Sequence, residues 1–339
     1  MKPTVHDIAK IAGVSLATVD RVLNGRPGVR EITRGRVEEA ISTLGYVRDL
    51  AAANLAKGRT YAFTFILPAN DNSFMIGLAE EVRGAIARSS AERTDIRIIE
   101  VPPFDPAALV CALDAVVESR PAGAAFVAID TPEVRAAAKR LQAAGIPVVT
   151  LVSDLPDSGR DHYAGIDNIA AGRTAAGLMG RFLSGRKAKV AVLAGSMLVR
   201  DHRERLEGFS AVVGGSFPDL DILPVLEGRD DPTLAETALA EAFANHPDIA
   251  GIYSLGAGNR GLIRAVQTRR ERPVVIAHEL TASTRAALMD GTIDAVLNQD
   301  AGHEVRSAIR VLKAKADGLP VIAAQERIRI DIFLKDNLP

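Results

Sequence analysis

The sequence predicts an α/β protein in two parts: a head of three short helices, then a larger two-lobed body built on parallel sheets. Two observations lead to this prediction. The 339 residues exceed the roughly 100–200 that one domain usually takes, so two or three domains are expected. From residue 61 onward, short apolar runs alternate with amphipathic stretches, a pattern that is typical of parallel strands covered by helices on both faces.

The charge of the chain divides at the same place. The formal net charge is −1, yet residues 1–60 carry ten Lys or Arg against six Asp or Glu, so the remainder is acidic. A basic head on an acidic body indicates that only the head meets a polyanion.

Composition argues against several classes of protein. With 47% hydrophobic and 24% charged residues, the chain is not disordered. Aromatic residues make up 4% and Trp is absent, which disfavours a single-strand binder that stacks on many bases. The one cysteine, Cys111, cannot form an internal disulfide, so we expect a reduced, cytoplasmic compartment. We find no signal peptide and no apolar run long enough to span a membrane.

Within the head, residues 1–47, the first helix starts at Thr4, because Thr4-Val5-His6-Asp7 has the pattern of a capping box. Gly13 ends this helix, Ser15 starts a second one, and a third runs from about Ile32 to Leu44. Two short helices joined by a tight Gly-containing turn form a helix-turn-helix. A purely structural three-helix bundle is the alternative.

The exposed face of the second helix carries the candidate DNA-binding residues, because that face of a helix-turn-helix enters the major groove. Arg21 can pair bidentately with guanine, whereas Leu16 and Ala17 can make only apolar contacts, for example with a thymine methyl. Short polar side chains are suited to phosphate and set register rather than sequence preference; they are Thr4, Ser15, Thr18, Asn24 and Thr33.

The head resembles the lac repressor (LacI/GalR) family of bacterial transcription regulators. The resemblance lies in VHDIAKIAGVSLATVDRVLN and in STLGY at residues 42–46. It implies that the second helix is the recognition helix. It also implies that the protein binds a palindromic operator in double-stranded DNA as a homodimer or a higher oligomer. Asp20 stands where the family commonly has Ser, so operator preference is not carried over.

Residues 48–59 are predicted to be a linker with high helix propensity that is too short to form a stable helix alone. The resemblance implies a hinge helix that orders on DNA and enters the minor groove. Leu55 would be its wedge between base pairs, and the small Ala52 would let two hinge helices approach closely. Arg48-Asp49 replaces the family's Pro-Asn, so the start of the hinge is not carried over.

The body, residues 60–339, is large for one sheet, so two lobes are expected. We place the first lobe at about 60–161 and 299–323, and the second at about 162–298 and 324–339. Strands are predicted at 61–67, 96–101, 122–129, 146–152, 189–194, 249–255, 273–277 and 293–297.

Polar side chains follow nearly every predicted strand, at the end where open α/β sheets bind ligands. For each residue singly, a turn or helix cap is the alternative. Together, carboxylates, amides, Arg and an aromatic ring suit a neutral polyhydroxylated ligand, because each hydroxyl both donates and accepts. The candidate effector-binding residues are Asn72, Phe74, Asp130, Asp154, Asp167, Arg203, Arg205, Asn259, Glu279 and Gln299.

The body resembles the periplasmic sugar-binding-protein fold of the same regulator family. Asn72-Ser73-Phe74 is similar to the Asn-Pro-Phe of ribose-type binders, Arg205-x-x-Gly208-Phe209 to the family's effector-contacting arginine segment, and Gln299 to its late glutamine. The resemblance implies a sugar or polyol effector in the cleft between the lobes. Glu279 stands where the family usually has Asp, and Gly256-Ala257-Gly258-Asn259 where an Asn-Asp pair is common.

Three functions make different predictions for the sequence. A ligand-responsive repressor accounts for both parts of the chain. If the chain were a periplasmic-type solute-binding protein without a DNA role, we would expect a signal peptide and no basic helical head, and neither expectation fits the sequence. An α/β enzyme is disfavoured because P-loop, GxSxG and HExxH motifs are absent, the histidines lack paired metal-ligand spacing, and Cys111 in LVCALDAVV is expected in the core. We therefore expect that the protein is not an enzyme and that it binds neither a cofactor nor a metal ion.

Overall fold

The computed structural model describes residues 3–46, 59–69, 72–256 and 258–339. The chain divides into two compact units, Met1–Arg59 and Thr60–Pro339. The predicted hinge residues Ala52 and Leu55 lie outside the described residues. Within the part of the chain that the structure describes, no helix is both long and apolar enough to cross a membrane.

The first unit holds three helices, which are α1 Val5–Ala12, α2 Leu16–Leu23 and α3 Glu31–Leu44. Thr4 caps α1 as predicted: its hydroxyl accepts from the Asp7 N–H, and the Asp7 carboxylate accepts from the Thr4 N–H at 2.9 Å. Gly13 ends α1 with φ 62°, a left-handed conformation that glycine adopts readily. The buried core comprises Ile8, Ala12, Val19, Val22, Val37 and Ala40. The predicted helix-turn-helix is confirmed.

The second unit contains two sheets. The sheet of the first lobe has five parallel strands in the order β2-β1-β3-β4-β5. They are β1 Tyr61–Pro68, β2 Thr94–Val101, β3 Gly123–Val127, β4 Val148–Leu151 and β5 His162–Ala164.

The sheet of the second lobe has seven strands in the order β12-β11-β10-β9-β6-β7, with β8 paired to β6. Only β12 pairs antiparallel among these strands. They are β6 Ala188–Ala194, β7 Leu220–Ile222, β8 Leu226–Glu227, β9 Ile249–Ser254, β10 Val274–His278, β11 Ala295–Asn298 and β12 Asp331–Phe333. The eight predicted strands are confirmed as β1–β4, β6 and β9–β11, whereas the short β5, β7, β8 and β12 were not predicted.

Helices cover both faces of each sheet and bury its apolar residues. They are α4 Ser73–Ala87, α5 Ser89–Glu92, α6 Pro106–Ser119, α7 Pro132–Ala143, α8 Asn168–Phe182, α9 Arg200–Ser216, α10 Pro232–Asn245, α11 Asn259–Gln267, α12 Ala282–Asp290 and α13 Ala301–Ala316, followed by a 3₁₀ turn at Lys335–Asn337.

The chain passes between the lobes three times. Helix α13 packs into the core of the first lobe through Val305, Ala308 and Leu312, although it follows strand β11 of the second lobe. Ile328 then packs into the core of the second lobe. The first lobe continues to β5, a few residues beyond the expected limit near residue 161, because this strand pairs with β4. A three-residue strand leaves no apolar run to mark it.

The expectation that Cys111 lies in the core is wrong, because its side chain is exposed. The buried face of α6 is formed by Leu109, Ala112, Leu113 and Val116. Successive helical residues are about 100° apart, so Cys111 lies on another face even though its neighbours in sequence are apolar.

Candidate functional site

The first candidate site is the exposed face of α2 in the head. Leu16 is 42% exposed, and Ala17 and Arg21 are exposed as well, while Val19 and Val22 lie in the core. The three side chains that we predict to contact bases are therefore accessible on the surface of one helix. Their role in reading bases stays a prediction.

The polar residues that we predict to contact phosphate lie at or near helix ends. Thr4 and Ser15 are N-caps, and Thr33 lies in the first turn of α3. The Thr18 hydroxyl lies 3.0 Å from the Ser15 hydroxyl. Helix N-termini present free N–H groups and the positive end of the helix dipole, and both favour phosphate.

Asp20 is held by two neighbours. The Asn24 amide donates to the backbone oxygen and to Oδ1 of Asp20, both at 2.7 Å. The Arg26 guanidinium lies 3.3 Å from Asp20 Oδ2. The negative charge of Asp20 therefore has a cation beside it.

The second candidate site is a cavity between the two lobes of the body. It lies at the carboxyl ends of the strands: Pro68 ends β1, Val101 ends β2, and Glu279 directly follows β10. Its empty volume is about 690 Å³, counting the part that opens to solvent. Five of the predicted effector residues line it, namely Asn72, Phe74, Arg205, Glu279 and Gln299.

Arg205 of α9 is buried at this cavity and is held by three partners. Its Nε donates to Asn168 Oδ1 at 2.8 Å, and one terminal nitrogen donates to the Leu255 carbonyl at 2.6 Å. The other terminal nitrogen lies 3.5 Å from Glu279 Oε1. The guanidinium is thereby fixed in one orientation.

Glu279 is buried beside Arg205 and has an uncommon backbone. Its φ of 70° lies in the left-handed region, which few residues other than glycine adopt. The Gln299 side-chain amide donates to Glu279 Oε1 at 2.8 Å. Burial raises the pKa of Glu279 to about 7, although Arg205 and Gln299 both favour the charged form.

Two oxygen atoms at the cavity have no hydrogen-bond partner within the described structure. They are Oδ1 of Asp201 and Oε1 of Gln299, and both residues are buried. Burying an acceptor without a donor is unfavourable. These oxygens mark positions where a bound ligand would donate.

The lining residues that were not among the candidate effector residues include Phe104, Ser153, Asp201 and Asp230. Asp201 lies in the first turn of α9, where an acidic residue is common because it stabilises the helix N-terminus, so its position in the sequence did not indicate a ligand site. His202 lines the cavity as well, and its Nδ1 lies 2.9 Å from the Ser196 carbonyl.

Asp130 and Arg203 join the lobes instead of lining the main cavity. Asp130 follows β3 of the first lobe, and its Oδ2 accepts from Arg203 of the second lobe at 2.6 Å. Arg200 lies 3.5 Å from the same oxygen, and Arg135 contacts Oδ1. Both residues were predicted as effector contacts, a role that stays a prediction.

The remaining three predicted residues also have structural partners. Asp154 is paired with Arg160, and Asp167 caps α8 by accepting from the Ala170 N–H at 2.9 Å. Asn259 borders a smaller adjoining pocket and donates to the His278 carbonyl at 3.0 Å. Asp167 thus has the helix-cap role that we kept as the alternative, and the effector roles of all three residues stay predictions.

Comparison with family models divides the chain at the same place as the structure. The model described as bacterial regulatory proteins, lacI family, matches residues 4–49. The model described as periplasmic binding protein domain matches residues 63–320. Both descriptions concern regulator and binding domains rather than enzymes.

Curated relatives include transcription regulators. The HTH-type transcriptional regulator DegA of Bacillus subtilis is 27% identical over 234 residues, which cover 68% of this chain and 66% of DegA. Catabolite control protein A of Priestia megaterium is 42% identical over 82 residues, which cover 24% of this chain and 25% of that protein. The match thus spans from a quarter to about two thirds of the relatives' length.

Solved structures share the fold of the body. A solute-binding protein from Burkholderia graminis in complex with D-arabinose has a TM-score of 0.75 at 22% identity, covering 83% of this chain and 97% of that one. The glucose-galactose binding protein GanP from Geobacillus stearothermophilus has a TM-score of 0.74 at 22% identity, covering 83% and 99%. At this identity the similarity shows the fold alone.

Proposed function

We propose that this chain, which belongs to the periplasmic binding protein domain family over residues 63–320 and matches the lacI family of bacterial regulatory proteins over residues 4–49, is a ligand-responsive repressor of transcription. One observation carries the proposal: a single chain combines a basic helix-turn-helix whose α2 face is exposed with a cavity between two lobes that is lined in part by buried polar side chains. The head would bind operator DNA, and the cavity would bind a small effector that changes the affinity for that DNA.

The response is one of thermodynamic linkage. A ligand shifts an equilibrium between lobe arrangements only by its difference in affinity for them. The cavity is lined by both lobes, so a ligand that contacts both walls favours the closed arrangement. The fixed orientation of Arg205 and Glu279 lets the second lobe bind without reorganising these side chains. Release of DNA and promotion of DNA binding are both compatible with this linkage.

The effector that we propose is a sugar or polyol. The unpartnered oxygens of Asp201 and Gln299 need donors, and hydroxyl groups supply them. Asp230 and Glu279 add further carboxylates to the lining. A glucose-galactose binding protein and a solute-binding protein in complex with D-arabinose share the fold of the body, which supports this class of ligand.

We further propose that the protein works in the cytoplasm as a homodimer or a higher oligomer. An operator with two-fold symmetry requires two heads. The single cysteine of the chain, Cys111, needs no oxidising compartment.

The test has two steps. First, full-length protein selects binding sites from a pool of random double-stranded DNA, and the enriched sequences are tested for two-fold symmetry. Second, a thermal-shift screen of neutral sugars and polyols identifies ligands, since a ligand that binds the native state raises its melting temperature. We expect a palindromic site whose affinity changes with a hit from the screen. Enrichment of no sequence over random DNA would exclude the proposed repressor.

A further inference from the structure

The two walls of the interlobe cavity differ in chemistry. The second-lobe wall is polar and includes Asp201, His202, Arg205, Asp230 and Glu279. The first-lobe wall is mainly apolar and includes Phe74, Val101, Phe104, Leu109, Ile129 and Val152. We propose that the effector is an uncharged polyhydroxylated compound that carries an apolar group, as an alkyl or aryl glycoside does. This inference rests on the function proposed above and narrows its ligand class.

The polar wall favours a ligand whose facing groups donate hydrogen bonds. Both unpartnered buried atoms at the described lining, Asp201 Oδ1 and Gln299 Oε1, are acceptors. Hydroxyl groups satisfy such atoms, whereas an ether or a carboxylate does not. A sugar ring with its hydroxyls turned toward the second lobe fits this wall.

Charge at the polar wall favours an uncharged ligand. The Arg205 guanidinium already donates to Asn168 and Leu255 and contacts Glu279, so it is committed to the protein. A phosphate or carboxylate would lie close to the Asp201 and Glu279 carboxyls. An ammonium group would instead meet the buried positive charge of Arg205. A hydroxyl donates to these acceptors without bringing a further charge into the buried site.

The opposite wall offers little to a hydroxyl. Apart from Gln299, which directly follows β11 and contacts Glu279, its polar side chains within the described lining are Asn72 and Ser153, and both have protein partners. The Asn72 side chain accepts from the Phe74 and Met75 N–H groups and donates to Asp230. Ser153 Oγ accepts from the Arg200 N–H at 3.2 Å. A hydroxyl that faces the first-lobe wall would lose hydrogen bonds to water and find few in return. A hydrocarbon group that faces it would add to the binding free energy by leaving water.

Phe104 is placed to contact the apolar group. It follows Pro102-Pro103 at the end of β2 and lines the cavity while half-buried. Its φ of 54° is left-handed, a conformation that is uncommon for a residue with a large side chain. A backbone outlier beside a cavity is a reason to look for a functional role. We assign Phe104 the role of a specificity residue for the apolar group.

The test is isothermal titration calorimetry on the full-length protein with matched ligands. Glucose, galactose and arabinose are each compared with their methyl and phenyl glycosides. Glucose and galactose are also compared with their uronic acids and 2-amino derivatives. We expect the phenyl glycoside of the preferred sugar to bind about tenfold or more tightly than the free sugar, because the ring leaves water against the first-lobe wall.

The variant Phe104→Ala tests whether the additional affinity of the phenyl glycoside comes from contact with the first-lobe wall. It should reduce the ratio between the affinity for the phenyl glycoside and the affinity for the free sugar to about twofold or less. Phe182→Ala is the matched control, because Phe182 is 43% exposed on α8 and does not line the cavity. This control should leave both affinities unchanged.

The inference is overturned if the free sugar binds as tightly as the phenyl glycoside. Tighter binding of a uronic acid or an amino sugar overturns it too, as does an equal loss for both ligands in Phe104→Ala. A free sugar that binds and changes operator affinity without any gain from the phenyl group overturns this inference alone. Binding by no neutral compound of the series overturns both the inference and the sugar effector of the proposed function.

Discussion

Arg203 of the second lobe donates a hydrogen bond of 2.6 Å to Asp130 of the first lobe. The Asp130 side chain is only 2% exposed, and Arg200 approaches the same carboxylate oxygen from the second lobe. Arg135 of the first lobe also contacts Asp130, so opening of the lobes would cost this carboxylate its two partners from the second lobe but not every cation. This contact therefore favours closed lobes without a ligand, and neither Asp130 nor Arg203 lines the cavity.

Arg203→Ala should weaken effector binding although Arg203 does not line the main cavity. Loss of the contact lowers the population of closed lobes, and apparent affinity falls with the population that is competent to bind. We expect a loss of about tenfold in calorimetric titrations with the sugar that stabilises the protein most. Arg140→Ala is the control, because Arg140 pairs with Asp114 inside the first lobe at 2.7 Å. An affinity equal to that of the wild type would show that the contact does not govern closure.

Asp201→Asn should separate ligand binding from stability. The amide offers one acceptor where the carboxylate offers two, and it removes a buried charge. We expect sugar affinity to fall by about tenfold because a charge-assisted hydrogen bond is lost. The melting temperature without ligand should stay the same or rise, since Oδ1 of Asp201 has no partner within the described residues. A lower melting temperature together with unchanged affinity would assign Asp201 a structural role.

Glu279 should make stability depend on pH. Its pKa of about 7 lies above the ordinary value of 4.5, so the folded protein holds this proton at pH values where the unfolded chain has lost it. Stability contributed by this group is therefore full at low pH and falls as pH rises from about 4.5 to about 7.

Glu279→Gln removes this titration and provides the measurement. Between pH 4.5 and 7 the wild type should lose about 3 kcal/mol of unfolding free energy relative to the variant. Urea unfolding of both proteins across this range tests the difference. Parallel stability curves would show that burial does not raise the pKa of Glu279.

Arg21→Ala should weaken binding to the selected operator by about 1–3 kcal/mol, because a bidentate contact to a guanine is lost. Binding to random DNA should change less, since it depends mainly on phosphate contacts. Fluorescence anisotropy with both DNAs measures the two effects. Arg97→Ala, an exposed arginine on β2 of the body, is the control for loss of charge. Equal losses of affinity for operator and random DNA would show that Arg21 does not contact bases.

Local signals in the sequence predicted most of the fold. Thr4 and Ser15 start their helices through hydrogen bonds within three residues, and Gly13 ends one through its own backbone. Strands of four or more apolar residues were found for the same reason. Strands β7 and β12, of three residues each, exist through pairing with distant strands, which no local pattern records.

The site was predicted in part. Strand ends correctly indicated the edge where Arg205, Glu279 and Gln299 meet. The same rule cannot tell whether a carboxylate turns toward the cavity or toward a cation, and Asp130 contacts arginines that approach from the other lobe. Asp201 was missed because its position depends on how α9 packs against the cleft.

The central claim is that one chain recognises an operator and that a ligand in its body changes this recognition. The most direct test is fluorescence anisotropy of the full-length protein on its selected palindrome and on random DNA, with and without a saturating neutral sugar from the thermal-shift screen. We predict tighter binding to the palindrome and a change of about tenfold or more when the sugar is added. Equal affinity for both DNAs, or an operator affinity that the bound sugar leaves unchanged, would contradict the account.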